Sequence, residues 1–189
     1  MPIARHLTTS ELEAGLDEIA RSPSDAGRLE CIVRRPRVGE REILERAELD
    51  RADGLVGDTW KDRGSRRSAD GGPHPDMQLN IMNTRVIALV AQERDRWPLA
   101  GDQLFIDLDL GAANLPPGTQ LALGSAVIEV TAQPHTGCGK FVERFGLDAM
   151  QFVNGPEHKP LNLRGINAKV VRPGAIRVGD VARKVPRHD

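Results

Sequence analysis

One cysteine stands in a setting suited to chemistry, within the segment PHTGCGKF at residues 134–141. Cys138 lies between two glycines, with His135 three residues before it and Lys140 two residues after it. The glycines keep side chains away from the sulfur, so that a bulky group has room to approach. His135 can accept a proton or orient a bound group. These features predict that Cys138 is a nucleophile or a ligand, with an ordinary turn cysteine as the alternative.

The elements on either side of this turn support the prediction. The run AVIEVTA at 126–132 is typical of a strand, and KFVERFGLDAMQFVN at 140–154 has apolar residues at helical spacing. A cysteine at the start of a helix lies near unpaired backbone N–H groups and the positive end of the helix dipole. Both favour the thiolate form, and Lys140 adds a nearby positive charge.

The remaining cysteine and histidine pattern bears on other kinds of site. Cys31 lies in the apolar run LECIVRRP and is predicted to be buried in the core. A structural disulfide is not predicted for two cysteines in a reducing compartment. His135 and Cys138 supply only half of a zinc site, and no CxxC motif completes it. A papain-like cysteine–histidine nucleophile stays open, although no second motif supports it.

Composition narrows the function classes. The 189 residues carry 26 basic and 27 acidic side chains and a net charge of −1, so neither a nucleic-acid nor a membrane-surface partner is expected. Aromatic residues make up 3% and tyrosine is absent, which argues against a base-stacking surface. No apolar run reaches the ~18 residues of a membrane span, and the N-terminus lacks a signal core. We expect a bacterial, cytoplasmic protein.

The N-terminal half predicts a short helix followed by strands. The helix covers 8–20 and is capped by Thr9 or Ser10. Two strands are predicted in 28–36 and 40–50, with a helix as the minor alternative for the second. The polar segment 63–76 is predicted to be a loop, either a functional lid or plain solvated chain. A strand in LNIM then leads into a helix capped by Asn83 or Thr84.

The C-terminal half predicts more short strands around one helix. The run from 101 to 132 is interpreted as short antiparallel strands joined by tight turns. The phenylalanines of 140–154 are interpreted as the core-facing stripe of a helix. Two final strands flank the turn RPGA, and Gly179-Asp180 is interpreted as a hairpin turn. Regular βαβ alternation is missing, so we predict a mainly β protein with helices (α+β), a β-barrel core with a few peripheral helices.

Three stretches together resemble the MOSC family, the domain found at the C-terminus of molybdenum cofactor sulfurases. They are GLVGD at 54–58, the long run from GDQLF to CGKF at 101–141, and LRGINAKVVRPGAIRVGD at 163–180. The likeness covers nearly the whole chain. It implies a small stand-alone member, with an N-terminal helical extension at 1–27 and a MOSC-like β-barrel domain at 28–184.

The resemblance implies a site as well as a fold. The family's single characteristic cysteine, thought to carry sulfur or to ligate molybdenum of a bound pterin, matches Cys138. Gly57, Asp58, Arg164 and Asn167 fall in the same implied cleft and become candidate cofactor-binding residues. A guanidinium such as that of Arg164 suits a phosphate, and thiolate sulfur suits molybdenum. The family is also associated with pyridoxal phosphate binding.

Three functions follow from these expectations. The first is a protein that binds molybdenum cofactor (molybdopterin) or carries sulfur as a persulfide on Cys138. The second is a molybdenum-dependent reductase of N-hydroxylated compounds, which needs an external electron donor because the chain has no iron–sulfur or flavin motif of its own. The third is a non-catalytic module for an anionic small molecule. A sulfur-donor or redox partner protein is expected for the first two.

Overall fold

The computed structural model describes residues 5–65 and 67–186. Within these ranges the chain forms helices, strands and several short 3-10 segments. The helices are α1 (Thr9–Glu13), α2 (Leu16–Ala20), α3 (Thr84–Ala91), α4 (Gly139–Phe145) and α5 (Leu147–Asn154). The strands are β1 (Gly27–Arg34), β2 (Glu42–Leu44), β3 (Arg46–Asp50), β4 (Gly54–Leu55), β5 (Leu79–Asn83), β6 (Leu104–Asp107), β7 (Gln120–Leu123), β8 (Ala126–Val130), β9 (Ile166–Arg172), β10 (Gly174–Arg177) and β11 (Val181–Lys184).

Seven strands close into a barrel, which confirms the predicted α+β fold class with a barrel core. Around the barrel the order is β1, β11, β7, β8, β9, β5 and β6, and β2 extends the sheet beyond β1. The pairs Gly27↔Ala182 and Arg28↔Val181 join β1 to β11 and so close the barrel. A second sheet of three strands has the order β10, β3, β4.

Two apolar clusters lie on the two sides of the barrel wall. One joins the barrel strands to each other and to the small sheet of β3, β4 and β10, and the second joins the barrel wall to the helices. A register shift in β1 between Leu29 and Cys31 places Leu29 and Ile32 in the first cluster and Cys31 and Val33 in the second. Cys31 is therefore buried, as predicted, against the layer that carries α3, α4 and α5.

The N-terminal helical segment differs from its prediction. The single helix expected over 8–20 is divided into α1 and α2, with Gly15 at the N-cap of α2 and packed against Leu89 of α3. Its cap is Thr8 and not Thr9 or Ser10. The Thr8 side chain accepts from the Glu11 N–H, and the Glu11 carboxylate accepts from the Thr8 N–H at 2.9 Å, which is a capping box.

The helix predicted over 140–154 is also divided. Gly146 lies between α4 and α5 with φ of 94°, a conformation that glycine adopts readily. The apolar stripe is nevertheless confirmed as core, since its four residues are all buried: Phe141, Phe145, Ala149 and Phe152. The break makes α4, which has Cys138 as its N-cap, a separate helix from α5.

The strand predictions are mostly confirmed. The one strand predicted over 40–50 is two strands, β2 in the barrel sheet and β3 in the small sheet, and the minor alternative of a helix there is wrong. The strand in LNIM is β5, and Asn83 caps α3 by accepting from the N–H groups of Arg85 and Val86. Strands β7 and β8 pair antiparallel, as expected. β6 differs, because it lies between β1 and β5 and runs parallel to β5.

The last strands divide between the two sheets. The run predicted as one strand after RPGA is split into β10 and β11 at Gly179-Asp180. β10 pairs with β3 in the small sheet, and β11 pairs with β7 and β1 in the barrel. Gly179-Asp180 is thus a turn, but the hairpin prediction is wrong because the two strands it joins are not paired. No helix within residues 5–65 and 67–186 has both the length and the apolar character for crossing a bilayer.

Candidate functional site

Cys138 lies where the loop after β8 meets the start of α4. It occupies the N-cap position of α4 in extended conformation, and its side chain makes no capping hydrogen bond. Cys138 is exposed and Cys31 is buried, and neither is in a disulfide. Burial raises the pKa of the Cys31 thiol to about 11. Of the two thiols, only that of Cys138 is open to a ligand or reagent.

Side chains of α5 and β9 form hydrogen bonds with the backbone of the loop that carries Cys138. The Gly137 N–H donates to Asn154 Oδ1 at 2.8 Å, and Asn154 Nδ2 donates back to the Gly137 carbonyl at 3.2 Å. Earlier in the loop, Asn167 Nδ2 donates to the Gln133 carbonyl at 3.0 Å. The exposed thiol is therefore presented on a segment fixed to both α5 and β9.

His135 is held by a buried acid that the sequence analysis did not select. Its Nε2 lies 2.7 Å from Oδ1 of Asp102, which is fully buried, and Oδ2 of Asp102 accepts from Arg164 Nη1 at 2.7 Å. A carboxylate only accepts, so the His135 proton lies on Nε2 and Nδ1 keeps a free lone pair. The loop of Cys138 thus contains a largely buried imidazole with one basic nitrogen.

The charges of this trio follow from burial and from Arg164. Burial alone would raise the pKa of Asp102, but the charges of Arg164 and His135 outweigh it and lower that pKa to about 2. Burial and the charge of Arg164 lower the pKa of His135, and Asp102 opposes them without reversing the shift. We infer an ion pair between Asp102 and Arg164 with a neutral His135 attached to it.

Arg164 is buried and mostly engaged within the chain. Besides Asp102, its Nη2 donates to the Ala100 carbonyl at 2.9 Å, and its guanidinium lies 5.0 Å from the centre of the Phe141 ring in α4. Among the described residues, its Nε atom has no hydrogen-bond partner. These contacts make Arg164 a support for Asp102 and for α4, while its contact with a phosphate stays a prediction.

Asp58 belongs to a second buried ion pair. Its carboxylate accepts from Arg35 Nε at 2.8 Å and from Arg35 Nη2 at 2.7 Å, and it accepts from the backbone N–H groups of Arg35 and Trp60 at 2.9 Å each. Burial works to raise the pKa of Asp58, but the hydrogen bonds and charge of Arg35 hold it below its usual value. Gly57 precedes it with φ of 82°, beside the Arg34 side chain.

A chain of amides connects Asp58 to the cysteine loop. Arg35 Nη1 lies 3.3 Å from Asn80 Oδ1, Asn80 Nδ2 donates to Asn167 Oδ1 at 2.7 Å, and Asn167 then holds the loop. Gln103, the neighbour of Asp102, accepts from the Asn80 N–H at 2.8 Å. The structure therefore brings together the predicted residues Asp58, Asn167, Arg164 and His135 in one polar region.

An open cleft lies on the Arg35 side of this region. It has a volume of about 220 Å³ and is lined by Arg35, Trp60, Arg63, Gly64, Ser65, His74, Met77 and Asn80. Residues of the loop predicted over 63–76 form one wall. Arg67 of that loop donates to the Pro134 carbonyl at 3.0 Å, so the loop contacts the cysteine segment. Pro134 is four residues from Cys138, a separation of at most about 14 Å along extended chain.

Lys140, a predicted site residue, joins none of these contacts. It is exposed in the first turn of α4, and its ammonium group has no hydrogen bond or ion pair to the part of the chain that the structure describes. A role for Lys140 beside the thiol stays a prediction.

Solved structures share this fold. The YuaD protein from Bacillus subtilis matches with a TM-score of 0.60 and 17% identity, over 86% of this chain and 97% of that one. YiiM from Escherichia coli matches with a TM-score of 0.52 and 18% identity, over 86% of this chain and 71% of that one. No model of a known protein family and no curated protein sequence matches the chain. At these identities the likeness establishes the barrel fold that the chain shares with YuaD and YiiM.

Proposed function

We propose that this chain is a MOSC-type protein that binds molybdenum cofactor, or carries sulfur for it, through the thiol of Cys138. One observation carries the proposal: an exposed free cysteine stands on a loop whose neighbouring residues are fixed by Asn154, Asn167 and the buried Asp102. A cysteine that only fills space has no need of exposure or of such fixation. A thiol that exchanges sulfur or ligates a metal needs both.

The fold supports the same proposal at a coarser level. The likeness to YuaD and YiiM agrees with the MOSC resemblance of the sequence in the arrangement of strands around a barrel. The stretches that carry the resemblance meet in space, because Asp58, the cysteine loop and Arg164 lie in one hydrogen-bonded region. This convergence favours a shared site over three unrelated stretches.

The donor groups present fit a molybdenum pterin. Cys138 offers a thiolate, a soft ligand suited to molybdenum. Arg63 lines the cleft, its side chain is 44% exposed, and its ion pair with Asp58 is long at 3.6 Å, so its guanidinium has room to bind a phosphate as well. When bound, the cofactor supplies the redox chemistry of molybdenum. We assign cofactor phosphate to Arg63, and to Arg164 the task of holding Asp102.

Sulfur carriage uses the same thiol. The Cys138 thiolate attacks the outer sulfur of a persulfide on a donor protein, the donor's S–S bond breaks, and the donor leaves as a thiol while Cys138 becomes the persulfide. Acceptance of the thiol proton by His135 stays a prediction, because its Nδ1 lone pair is free but burial and Arg164 lower its pKa. A sulfur-donor partner protein is therefore part of the proposal.

The test compares the wild-type chain with Cys138→Ser, each purified without oxygen from a host that makes molybdenum cofactor. Molybdenum and released pterin are measured per chain. Each protein is then incubated with a persulfide donor, and its mass is compared with that of the untreated chain. We expect either near-stoichiometric cofactor or the added mass of one sulfur atom, in the wild type only.

The matched control is Cys31→Ala, which removes the buried thiol and leaves Cys138 in place. It is expected to behave as the wild type in both assays. Cofactor or added sulfur retained in Cys138→Ser would remove the thiol from the mechanism. Neither metal, pterin nor added sulfur on the wild type would contradict the proposal and leave the anionic-ligand module as the function to pursue.

A further inference from the structure

A second group of ligand-forming side chains lies away from the cysteine loop, where α1 meets the segment after α5. It consists of Glu13 at the end of α1 and of Glu157 and His158 beyond α5, and their ligand atoms all lie within 4.8 Å of one another. Nothing in the proposed function uses these residues. They connect the N-terminal helical segment to the helix that holds Gly137.

His158 is the buried member, and its orientation is fixed. The residue is 6% exposed, its ring packs edge-on against Phe152 at 5.0 Å, and its Nδ1 lies 3.0 Å from the Phe152 carbonyl oxygen. A carbonyl oxygen only accepts, so Nδ1 must carry the proton. In the neutral ring the lone pair is therefore on Nε2. A backbone carbonyl on the far nitrogen is also the usual support of a histidine that ligates a metal.

That lone pair is directed toward an acid. Nε2 of His158 lies 3.4 Å from Oε2 of Glu13, and the ring also lies near Glu157, whose Oε1 is 3.8 Å from Nδ1. A neutral imidazole nitrogen and a carboxylate oxygen are both electron-rich, so their approach calls for a cation or a proton between them. Two carboxylates around one imidazole carry the charge that a divalent ion neutralises.

Local structure adds to the need for positive charge. Glu13 is the last residue of α1, where the helix dipole disfavours an acid, and no basic residue lies in that turn. Glu157 folds back over Gly155, where the lack of a side chain leaves room for its carboxylate near His158.

We propose that Glu13, Glu157 and His158 form a binding site for a divalent zinc ion that fastens α1 to the segment after α5. Imidazole nitrogen and carboxylate oxygen are both zinc ligands, and three protein ligands with water in the fourth position give a four-coordinate site. The 3.4 Å between Nε2 and Oε2 is also the edge of a tetrahedron with bonds of about 2.1 Å. Glu157 approaches the protonated Nδ1 and not Nε2, so its exposed side chain must rotate to reach the ion. This site is independent of the proposed function at Cys138.

Binding is tested by titrating zinc chloride into chelator-treated, dialysed protein at about pH 8, where free imidazoles are mostly neutral. The Cys138→Ser chain is used, so that the exposed thiol does not bind the metal. Calorimetry is expected to give one zinc per chain. Glu13→Gln and Glu157→Gln, both at exposed positions, are expected to weaken binding by at least about tenfold. Glu143→Gln, an exposed acid of α4, is the matched control and should leave binding unchanged.

Thermal unfolding supplies the second measurement. Since the site joins parts of the chain distant in sequence, zinc should bind the folded state and raise the Tm by about 5 °C at a hundredfold excess over Kd. Glu13→Gln should lose this rise. No binding to the Cys138→Ser chain, or binding and a Tm rise that the two glutamine variants retain, would overturn the site. The first outcome would leave a proton shared between His158 and Glu13 as the explanation of their contact.

Discussion

Asp102 is the single residue on which both His135 and Arg164 depend. Its Oδ1 accepts a hydrogen bond from His135, and its Oδ2 accepts one from Arg164. The Asp102 side chain is fully buried. Removing its charge would leave the buried guanidinium of Arg164 without a counter-charge. Breaking a buried ion pair from one side costs far more than the pair itself contributes, because an uncompensated charge stays in the interior.

We predict that Asp102→Asn lowers the free energy of unfolding by about 3–5 kcal/mol. Urea denaturation monitored by circular dichroism measures the change. Asp95→Asn, at an exposed position, is the matched control and should change stability by less than about 0.5 kcal/mol. Equal stability of the two variants would show that the charge of Asp102 beside Arg164 contributes little to the free energy of unfolding.

His135 makes stability depend on pH in a defined direction. Burial and the charge of Arg164 lower its pKa in the folded state, and Asp102 only partly opposes them. As pH falls below about 6.5, the unfolded chain takes up this proton before the folded chain does, so folded-state stability decreases. Above that pH the imidazole is neutral in both states and contributes no slope.

We therefore expect wild-type protein to lose stability as the pH falls below about 6.5. His135→Gln should lose part of this slope, because a glutamine amide can still donate to Asp102 but does not titrate. Urea denaturation at a series of pH values gives the comparison. The same slope in both proteins would mean that other groups, and not His135, bind the protons.

At the scale of elements, α5 acts as the support of the cysteine loop. Asp148 near its start accepts from the Thr9 N–H at 2.8 Å, and Asn154 at its end holds Gly137 from both sides. The helix thereby joins the N-terminal segment to the residue before Cys138. A substitution at the C-terminal end of α5 should therefore increase the mobility of the cysteine loop more than that of the barrel.

We predict that Asn154→Ala speeds amide hydrogen exchange over 136–139 and lowers stability by only about 1 kcal/mol. Hydrogen exchange read by mass spectrometry is the measurement. Gln151→Ala, one turn earlier at an exposed position of the same helix, serves as the control and should leave the loop unchanged. Unchanged exchange in Asn154→Ala would show that other contacts hold Cys138 in position.

The elements also show how far sequence patterns reach. Apolar alternation and turn residues were enough to predict β1, β5 and the β7–β8 hairpin, because those signals are local. The two helix breaks were not predicted, and they occur at glycines that pack against residues distant in sequence, Leu89 for Gly15 and His6 for Gly146. Residue patterns predicted Cys138 and His135 as site residues. They did not predict Asp102, because its partners His135 and Arg164 lie 33 and 62 positions away in sequence.

At the scale of the whole molecule, the barrel was predicted but its strand order was not. Short strands with turns indicate a closed sheet, yet nothing local specifies that β6 runs parallel to β5 or that β10 leaves the barrel to pair with β3. These pairings join residues far apart in sequence. They depend on the packing of both apolar clusters, and these clusters join residues from distant parts of the sequence, so a short stretch of sequence does not predict them.

The closure of the barrel by β1 and β11 has a consequence for synthesis. Arg28 of β1 pairs with Val181 of β11, so this part of β1 has no partner until β11 has been synthesised. Until β11 has left the ribosome, β1 and β7 each expose an unpaired edge, and open edges are the surfaces through which chains aggregate. The nascent chain thus carries two open strand edges until β11 emerges, and we expect a chaperone bound to these edges during synthesis to reduce aggregation.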